Sequence, residues 1–202
     1  MDTTIINNKF EEWTKGLNDR EARMAIFRHI RDIPYAIIPK LRDPEIGPSG
    51  ILELNEGSCQ PKHFLLAMLF AKLNIPVKYV TYPFRWGEQP LKYNSDLQKI
   101  VGSIPKAYHL ACKAYLENKW VLVDATHDPA LKKYGFPVNE GWDGVSNMKN
   151  AVMTSEEIIH DSLKERIDFE SGQRSLYTEE EKARYAVFVE KFNLWLKDIR
   201  KE

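Results

Sequence analysis

"YHLACKAYLENKWVLVDATHD", residues 108–128, is the stretch on which the fold turns. Its two halves are rich in β-branched and aromatic residues, and a polar pair, Glu117-Asn118, separates them. That pattern predicts two antiparallel strands joined by a two-residue loop, the commonest hairpin connection. Leu116 then pairs with Lys119, and Tyr115 faces Trp120 as a cross-strand aromatic pair. Carried along both strands, this register sets His109 opposite Thr126 and makes Asp124 the diagonal neighbour of His109 on one sheet face. Leu110, Cys112, Ala114, Val121, Val123 and Ala125 fill the other face. A slip of one residue would put His109 and Asp124 on opposite faces. Asp124 is expected inside a strand, where aspartate is disfavoured. His127 and Asp128, at the strand exit, read as a turn.

A second stretch supplies a thiol. In "NEGSCQPKHFLLAMLFAKLNIPV", residues 55–77, a polar turn opens into an almost wholly apolar run with Cys59 at the break. Ser58 is a candidate cap, and Pro61 is tolerated in a first turn because amides there have no intrahelical partner. Phe64, Leu65, Leu66, Met68, Leu69 and Phe70 leave little polar face, which predicts a helix buried nearly all round. Asn74 and Pro76 stop it, and residues 77–84, "VKYVTYPF", read as a strand.

Outward from these stretches the chain reads as helices and loops. Phe10 and Trp13 belong to a short first helix. A second starts at Asn18, with Glu21 completing a capping-box pattern, and ends at Pro34. Residues 42–50, "RDPEIGPSG", read as a loop. So do residues 85–105 and 134–147, both placed to shape a cleft. Trp142-Asp143-Gly144 reads equally as a turn around a packed tryptophan or as a cleft rim. Thr154 with Glu157 is a candidate cap for one helix, and Thr178 with Glu181 for the last. The last helix carries Tyr185, Phe188, Phe192, Trp195 and Ile199 at helical spacing, a stripe that reads as core.

Composition narrows the function. The 202 residues carry 29 basic and 29 acidic side chains, so no electrostatic footprint for nucleic acid is present. Two cysteines do not make a disulfide framework. No apolar run is long enough to span a bilayer, and residues 1–8 lack the pattern of a signal peptide. The expectation is a cytoplasmic protein with reduced thiols and no membrane or nucleic-acid partner. No Cys/His spacing fits a metal site and no glycine-rich phosphate loop occurs, so neither metal nor organic cofactor is expected.

Cys59, His109 and Asp124 are the candidate catalytic residues. A free thiol is mostly protonated at neutral pH; a helix N-terminus and a neighbouring imidazolium both favour the thiolate. A carboxylate fixes the tautomer of the imidazole. If the apolar helix packs on the sheet face that bears His109, the three assemble as a triad. Cys112 alternates with core residues and reads as a small buried hydrophobe. His29, His63 and His160 read as structural or surface residues.

The residues also carry a resemblance. "GSCQPKHFLLAMLFAKLNIPVKYV" resembles the nucleophile segment of the transglutaminase-like superfamily, in its small bacterial or archaeal type. "YHLACKAYLENKWVLVDAT" is similar to that superfamily's His and Asp block, and "FRHIRDIPY" to the segment before both. The resemblance covers residues 27–128. It implies an α+β, papain-like fold, with an antiparallel sheet packed on the helix that bears the cysteine and extra helices at both ends. It also implies triad roles for Cys59, His109 and Asp124. The expected organisation is one domain over residues 1–202, with residues 135–202 packed on the core. Gln60 departs from the aromatic or acidic residue common after the cysteine. The Cys59 amide is the first oxyanion donor; Tyr35, Asn55 and Gln60 are candidates for a second.

The function expected is a cysteine-dependent amide hydrolase or acyltransferase acting on peptide or protein amides through a thioester. The alternative is a non-catalytic peptide- or protein-binding module that retains the fold. The sequence leaves the oligomeric state open.

Overall fold

The hairpin forms in the expected register. In the computed structural model, which describes residues 3–201, four strands run over Val77–Phe84 (β1), Ala107–Leu116 (β2), Lys119–Val123 (β3) and Ile158–His160 (β4). They make one antiparallel sheet in the order β3-β2-β1-β4. Leu116 pairs with Lys119 and Tyr115 with Trp120. Glu117 and Asn118 both have positive φ, 48° and 64°, as a tight hairpin turn following the strand twist requires.

One part of the expectation is corrected. The β2–β3 ladder stops at the Cys112–Val123 pair, so His109 has no ladder partner in β3 and Asp124 lies one residue past the strand. The cause is local. The Asp124 carbonyl accepts Asn139 Nδ2 at 3.0 Å and its N–H points at Met148 Sδ at 3.2 Å, which draws the chain off the ladder.

Seven α-helices lie among the described residues, Thr4–Thr14 (α1), Asp19–Asp32 (α2), Gly47–Leu54 (α3), Cys59–Lys72 (α4), Ser95–Gln98 (α5), Leu163–Ser175 (α6) and Glu179–Ile199 (α7), with short 3-10 turns between elements. The chain is therefore α+β. The capping boxes expected at Asn18 and Thr178 both form. α3 replaces part of the expected loop. Its glycines serve close packing: a Cβ on Gly47 would meet the Leu41 carbonyl oxygen at 2.4 Å, and one on Gly50 would meet Leu41 Cδ2 at 2.5 Å. Thr154 and Glu157 cap no helix. Thr154 Oγ1 accepts the Glu156 N–H, and Glu157 is spent on Tyr82 and Lys113 before the edge strand β4. The next helix, α6, is capped instead by Ser162, whose side chain accepts from the Glu165 N–H.

The sheet separates two apolar layers. On one side Leu65, Leu66, Leu69 and Phe70 of α4 pack with Cys112, Ala114, Val121 and Val123, together with α1 and α2. On the other, Val80, Tyr82, Phe84 and Ala111 pack with Phe188, Phe192, Trp195 and Ile199 of α7. The α7 stripe is thus core, as its spacing predicts, with Tyr185 half-buried at the margin. Trp142 is buried against Phe27 and Phe70 in the first layer, so Trp142-Asp143-Gly144 is a turn around a packed tryptophan. α4 therefore lies on the Cys112 face, not on the face of Tyr82 and Ala111 to which His109 belongs by alternation. No helix among the described residues is long and apolar enough to cross a membrane.

Candidate active site

Cys59 is the first residue of α4, and the segment before it is clamped. Gly57 bridges Tyr35 in parallel fashion, its N–H donating to the Pro34 carbonyl at 3.0 Å and its carbonyl accepting the Ala36 N–H at 3.2 Å. A Cβ on Gly57 would meet Ile51 Cγ2 at 2.6 Å, so glycine is needed for this approach. Ser58 occupies the cap position but its side chain makes no capping hydrogen bond. The first amides of α4 stay free of intrahelical partners.

His109 and Asp124 meet although neither is in the ladder with the other. His109 Nε2 donates to Asp124 Oδ2 at 2.8 Å. The remaining nitrogen, Nδ1, is the one left for the Cys59 thiol, which lies close enough for each group to shift the other's titration. The condition that α4 pack on the His109 face is not met; the three groups come together at the sheet edge instead. Because β3 stops at Val123, Leu110 has no ladder neighbour there, and it packs with Cys59 and Phe64. The early end of β3 thus opens the slot in which Cys59 sits.

Asp124 is buried and fully used as an acceptor. Besides His109, its Oδ2 takes the Ala151 N–H at 2.8 Å, and its Oδ1 takes Thr126 Oγ1 at 2.6 Å and the Thr126 N–H at 3.2 Å. Its carboxyl is held well below the usual range: burial alone would raise it, and His109, His63 and Thr126 outweigh that. His109 is pushed up to about 10, because Asp124 and Cys59 on either side outweigh burial. Burial also pushes the Cys59 thiol up. The His109 imidazolium, its hydrogen bond, the Leu110 amide and the Arg166 guanidinium bring it below the ordinary thiol value. Both directions favour a thiolate–imidazolium pair. Cys112, buried without such neighbours, is pushed well up.

The surroundings explain why these groups hold still. Lys62, fully buried, donates to the carbonyls of Arg31, Ile33 and Thr126 at 3.0, 2.5 and 2.8 Å, tying α2 and the strand exit to α4. Asp128 is more than a turn residue. It accepts the Tyr35 N–H at 2.8 Å and pairs with Arg200, which also donates to the Tyr35 carbonyl at 2.9 Å. Tyr35 is thereby fixed beside the nucleophile loop, its ring edge-on to His127. Its phenol is raised well above the ordinary value by burial and by Cys59, so it is a neutral donor. Asn55 lies in a separate surface groove near Trp13 and His29 and is removed from the oxyanion candidates.

A cleft opens over Cys59 and His109. Trp86, Gln89 and Leu91 of the first expected loop line it, as does Phe136 of the second; Ala151 and Val152 add to the wall. A charged array that sequence reasoning missed lies beside it. Glu170 of α6 takes Arg166 Nη1 at 3.0 Å, Arg174 Nε at 2.7 Å and a hydrogen bond from Gln60. Arg166 is fully buried, and its Nε and Nη2 have no partner. The only hint was the spacing of residues 166, 170 and 174, which puts three charges on one helix face. Among the described residues no group of three or more His, Cys, Asp or Glu side chains is arranged to hold a metal ion.

No family model matches the chain, and no curated protein is significantly similar to it. Among solved structures it is similar to a candidate cysteine protease from Cytophaga hutchinsonii, at 16% identity and a TM-score of 0.43. The match covers 77% of this chain and 49% of that one, so this chain spans about half the length of that protein.

Proposed function

We propose that this chain is a cysteine-dependent amide hydrolase or acyltransferase of the transglutaminase-like, papain-like kind, with Cys59 as nucleophile, His109 as acid and base, and Asp124 as the group that orients His109. The observation that carries the reading is Cys59 and His109 lining one cleft, with His109 hydrogen-bonded behind it to the buried Asp124. The substrate is then a peptide or protein amide.

The Cys59 thiolate attacks the carbonyl carbon. Negative charge develops on the carbonyl oxygen, where the Cys59 amide and the Tyr35 hydroxyl are the proposed donors. The C–N bond breaks as His109 Nδ1 gives its proton to the leaving amine, and a thioester remains. Neutral His109 then takes a proton from water, or from an amine, which attacks the thioester and regenerates the thiolate. Asp124 stays ionised throughout and keeps Nε2 protonated, so that Nδ1 is the nitrogen that exchanges the proton. The nucleophile, acid and oxyanion donors are all side chains or amides of this chain, and no step calls on another group.

The test is acyl trapping. The wild type and Cys59→Ala are incubated with a panel of peptides and glutamine-containing proteins, quenched in acid and searched by mass spectrometry for an acyl adduct on Cys59, with released amine or ammonia measured in parallel. An adduct on Cys59 and release that Cys59→Ala abolishes are expected. Release that survives in Cys59→Ala would overturn the covalent mechanism. A wild type that releases nothing, with a Cys59 no faster than an ordinary thiol, would favour a non-catalytic binding module.

A further inference from the structure

The cleft is unevenly charged for a protein whose totals cancel at 29 basic and 29 acidic residues. Two charged side chains other than histidine line it, and both are arginines, Arg42 and Arg174. Both pack on Tyr185. The Arg42 guanidinium is 5.3 Å from the ring centroid and donates to the Tyr185 hydroxyl at 2.6 Å; that of Arg174 is 5.8 Å from the same centroid. Glu170 is the carboxylate of this corner, and it is divided between Arg166 and Arg174 while also holding Gln60. Arg42 has no carboxylate within ion-pair distance among the described residues. An adjoining groove shares Arg42, Arg174 and Tyr185, adds Lys182, and again has no acidic lining residue. Lys182 is itself paired with Glu179, so the positive charge on this side rests on Arg42 and Arg174.

The one carboxylate of this corner is shared with Arg166, and a second anion placed there would gain charge-assisted contacts from Arg42 and Arg174. Guanidinium is also the side chain whose planar fork fits a carboxylate. Phe84, Trp86 and Phe136 also line the cleft. We infer that the amide this site acts on carries a carboxylate, bound by Arg42 and Arg174. The inference rests on the acyl-transfer reading above and names its substrate class. The carboxylate belongs either to a peptide C-terminus or to an acidic side chain, and the two have the same chemistry at the arginines.

Three alkylating probes test this on the whole chain: iodoacetyl-glycine, iodoacetyl-glycinamide and the iodoacetyl derivative of aspartic acid α-amide. They present a terminal carboxylate, no charge and a side-chain carboxylate. Rates of labelling at Cys59 are compared with those of 2-mercaptoethanol, a neutral thiol. At least one carboxylate probe should be preferred over the glycinamide by roughly tenfold more than 2-mercaptoethanol prefers it, as a charge-assisted contact implies. Added salt should reduce the preference. Arg42→Gln and Arg174→Gln should each cut it severalfold, while Arg42→Lys keeps most of it. The better of the two carboxylate probes identifies the source of the anion. Labelling with no preference, or a preference that both Gln variants keep, would overturn the inference and leave the acyl-transfer reading standing. A Cys59 that none of the probes labels faster than 2-mercaptoethanol would overturn both.

Discussion

His63 and Asp124 lie within ion-pairing distance, 3.7 Å from Nε2 to Oδ1, and yet are not an ion pair. His63 Nε2 accepts the Ala125 N–H at 3.1 Å, so its proton is on Nδ1, which donates to the Cys59 carbonyl at 2.8 Å. Two histidines thus flank one carboxylate with opposite protonation. His109 is pushed up to about 10, while burial brings His63 down to about 4 despite Asp124. His127 is likewise brought down to about 4 by burial, with Nδ1 3.0 Å from the Pro137 carbonyl.

That arrangement fixes how stability responds to acid. For His63 and His127 the folded pKa is depressed from 6.5 to about 4, so the unfolded chain takes up protons that the folded chain refuses. Their neutral forms are accommodated above about pH 6.5, and stability falls as pH drops from there toward 4. Each histidine withdraws up to about 3 kcal/mol over that window. His109 does not contribute to this loss, since its raised pKa stabilises the fold below 6.5. Denaturant midpoints between pH 7 and 5 check the sign: stability should fall with acid across that range, and His63→Gln should reduce the slope by up to one proton, with His29 and His160, also lowered by burial, adding to what remains.

Cys59 should be the reactive thiol and Cys112 inert. Limiting iodoacetamide at neutral pH, followed by peptide mapping, should modify Cys59 first. The pH–rate profile should have its midpoint below that of an ordinary thiol, because His109, Leu110 and Arg166 favour the thiolate. Arg166→Met removes one of those charges and should move the midpoint up, with the rate near pH 6 falling roughly three- to tenfold. A profile unmoved by that substitution would show that the buried guanidinium serves packing alone.

Much of this site was legible in the sequence, and the parts that were not share a physical reason. The Glu117-Asn118 turn set the register, and the ends of β1 and the caps of α2 and α7 follow from local chemistry. The His109–Asp124 contact also survives, although Asp124 leaves the strand earlier than alternation suggests. α3 was hidden because Gly47, Pro48 and Gly50 read as a loop, whereas two of them permit close approach to Leu41. β4, three residues at a sheet edge, is too short to show a period. Arg166, Glu170 and Arg174 look like a solvated helix face at i, i+4 spacing; only tertiary burial reveals them as part of the site. The side of the sheet on which α4 packs is also a long-range outcome, and no window of sequence contains it.

Tyr35→Phe separates transition-state stabilisation from thiol activation. The backbone ties to Asp128, Arg200 and Gly57 do not involve the hydroxyl, so the ring should stay in place. On the proposed mechanism, loss of one oxyanion donor lowers kcat by about a hundredfold with little change in KM. Alkylation by iodoacetamide forms no oxyanion and should proceed at the wild-type rate. Equal losses in both measurements would move Tyr35 from oxyanion donor to a structural role.

Asp124→Asn is the more severe test, because the carboxylate accepts four hydrogen bonds from donors that cannot all be satisfied by an amide. With the new NH2 group at the Oδ2 position, it faces the His109 Nε2–H and the Ala151 N–H. At the Oδ1 position it faces the Thr126 N–H, although the Thr126 hydroxyl can turn to accept. The second placement is less unfavourable and still strands one buried donor, at a cost of about 1–3 kcal/mol. The anion is lost in either case, so His109 falls from about 10 toward its ordinary value or below, and the thiolate loses its counter-ion. The variant should therefore fold with a lower melting temperature. Its Cys59 alkylation midpoint should rise toward that of an ordinary thiol, and any turnover should drop by roughly a hundredfold or more, because the imidazolium no longer has a buried anion to stabilise it. A folded Asp124→Asn with an unshifted alkylation profile would mean that His109 is charged for some other reason, and the triad would have to be abandoned.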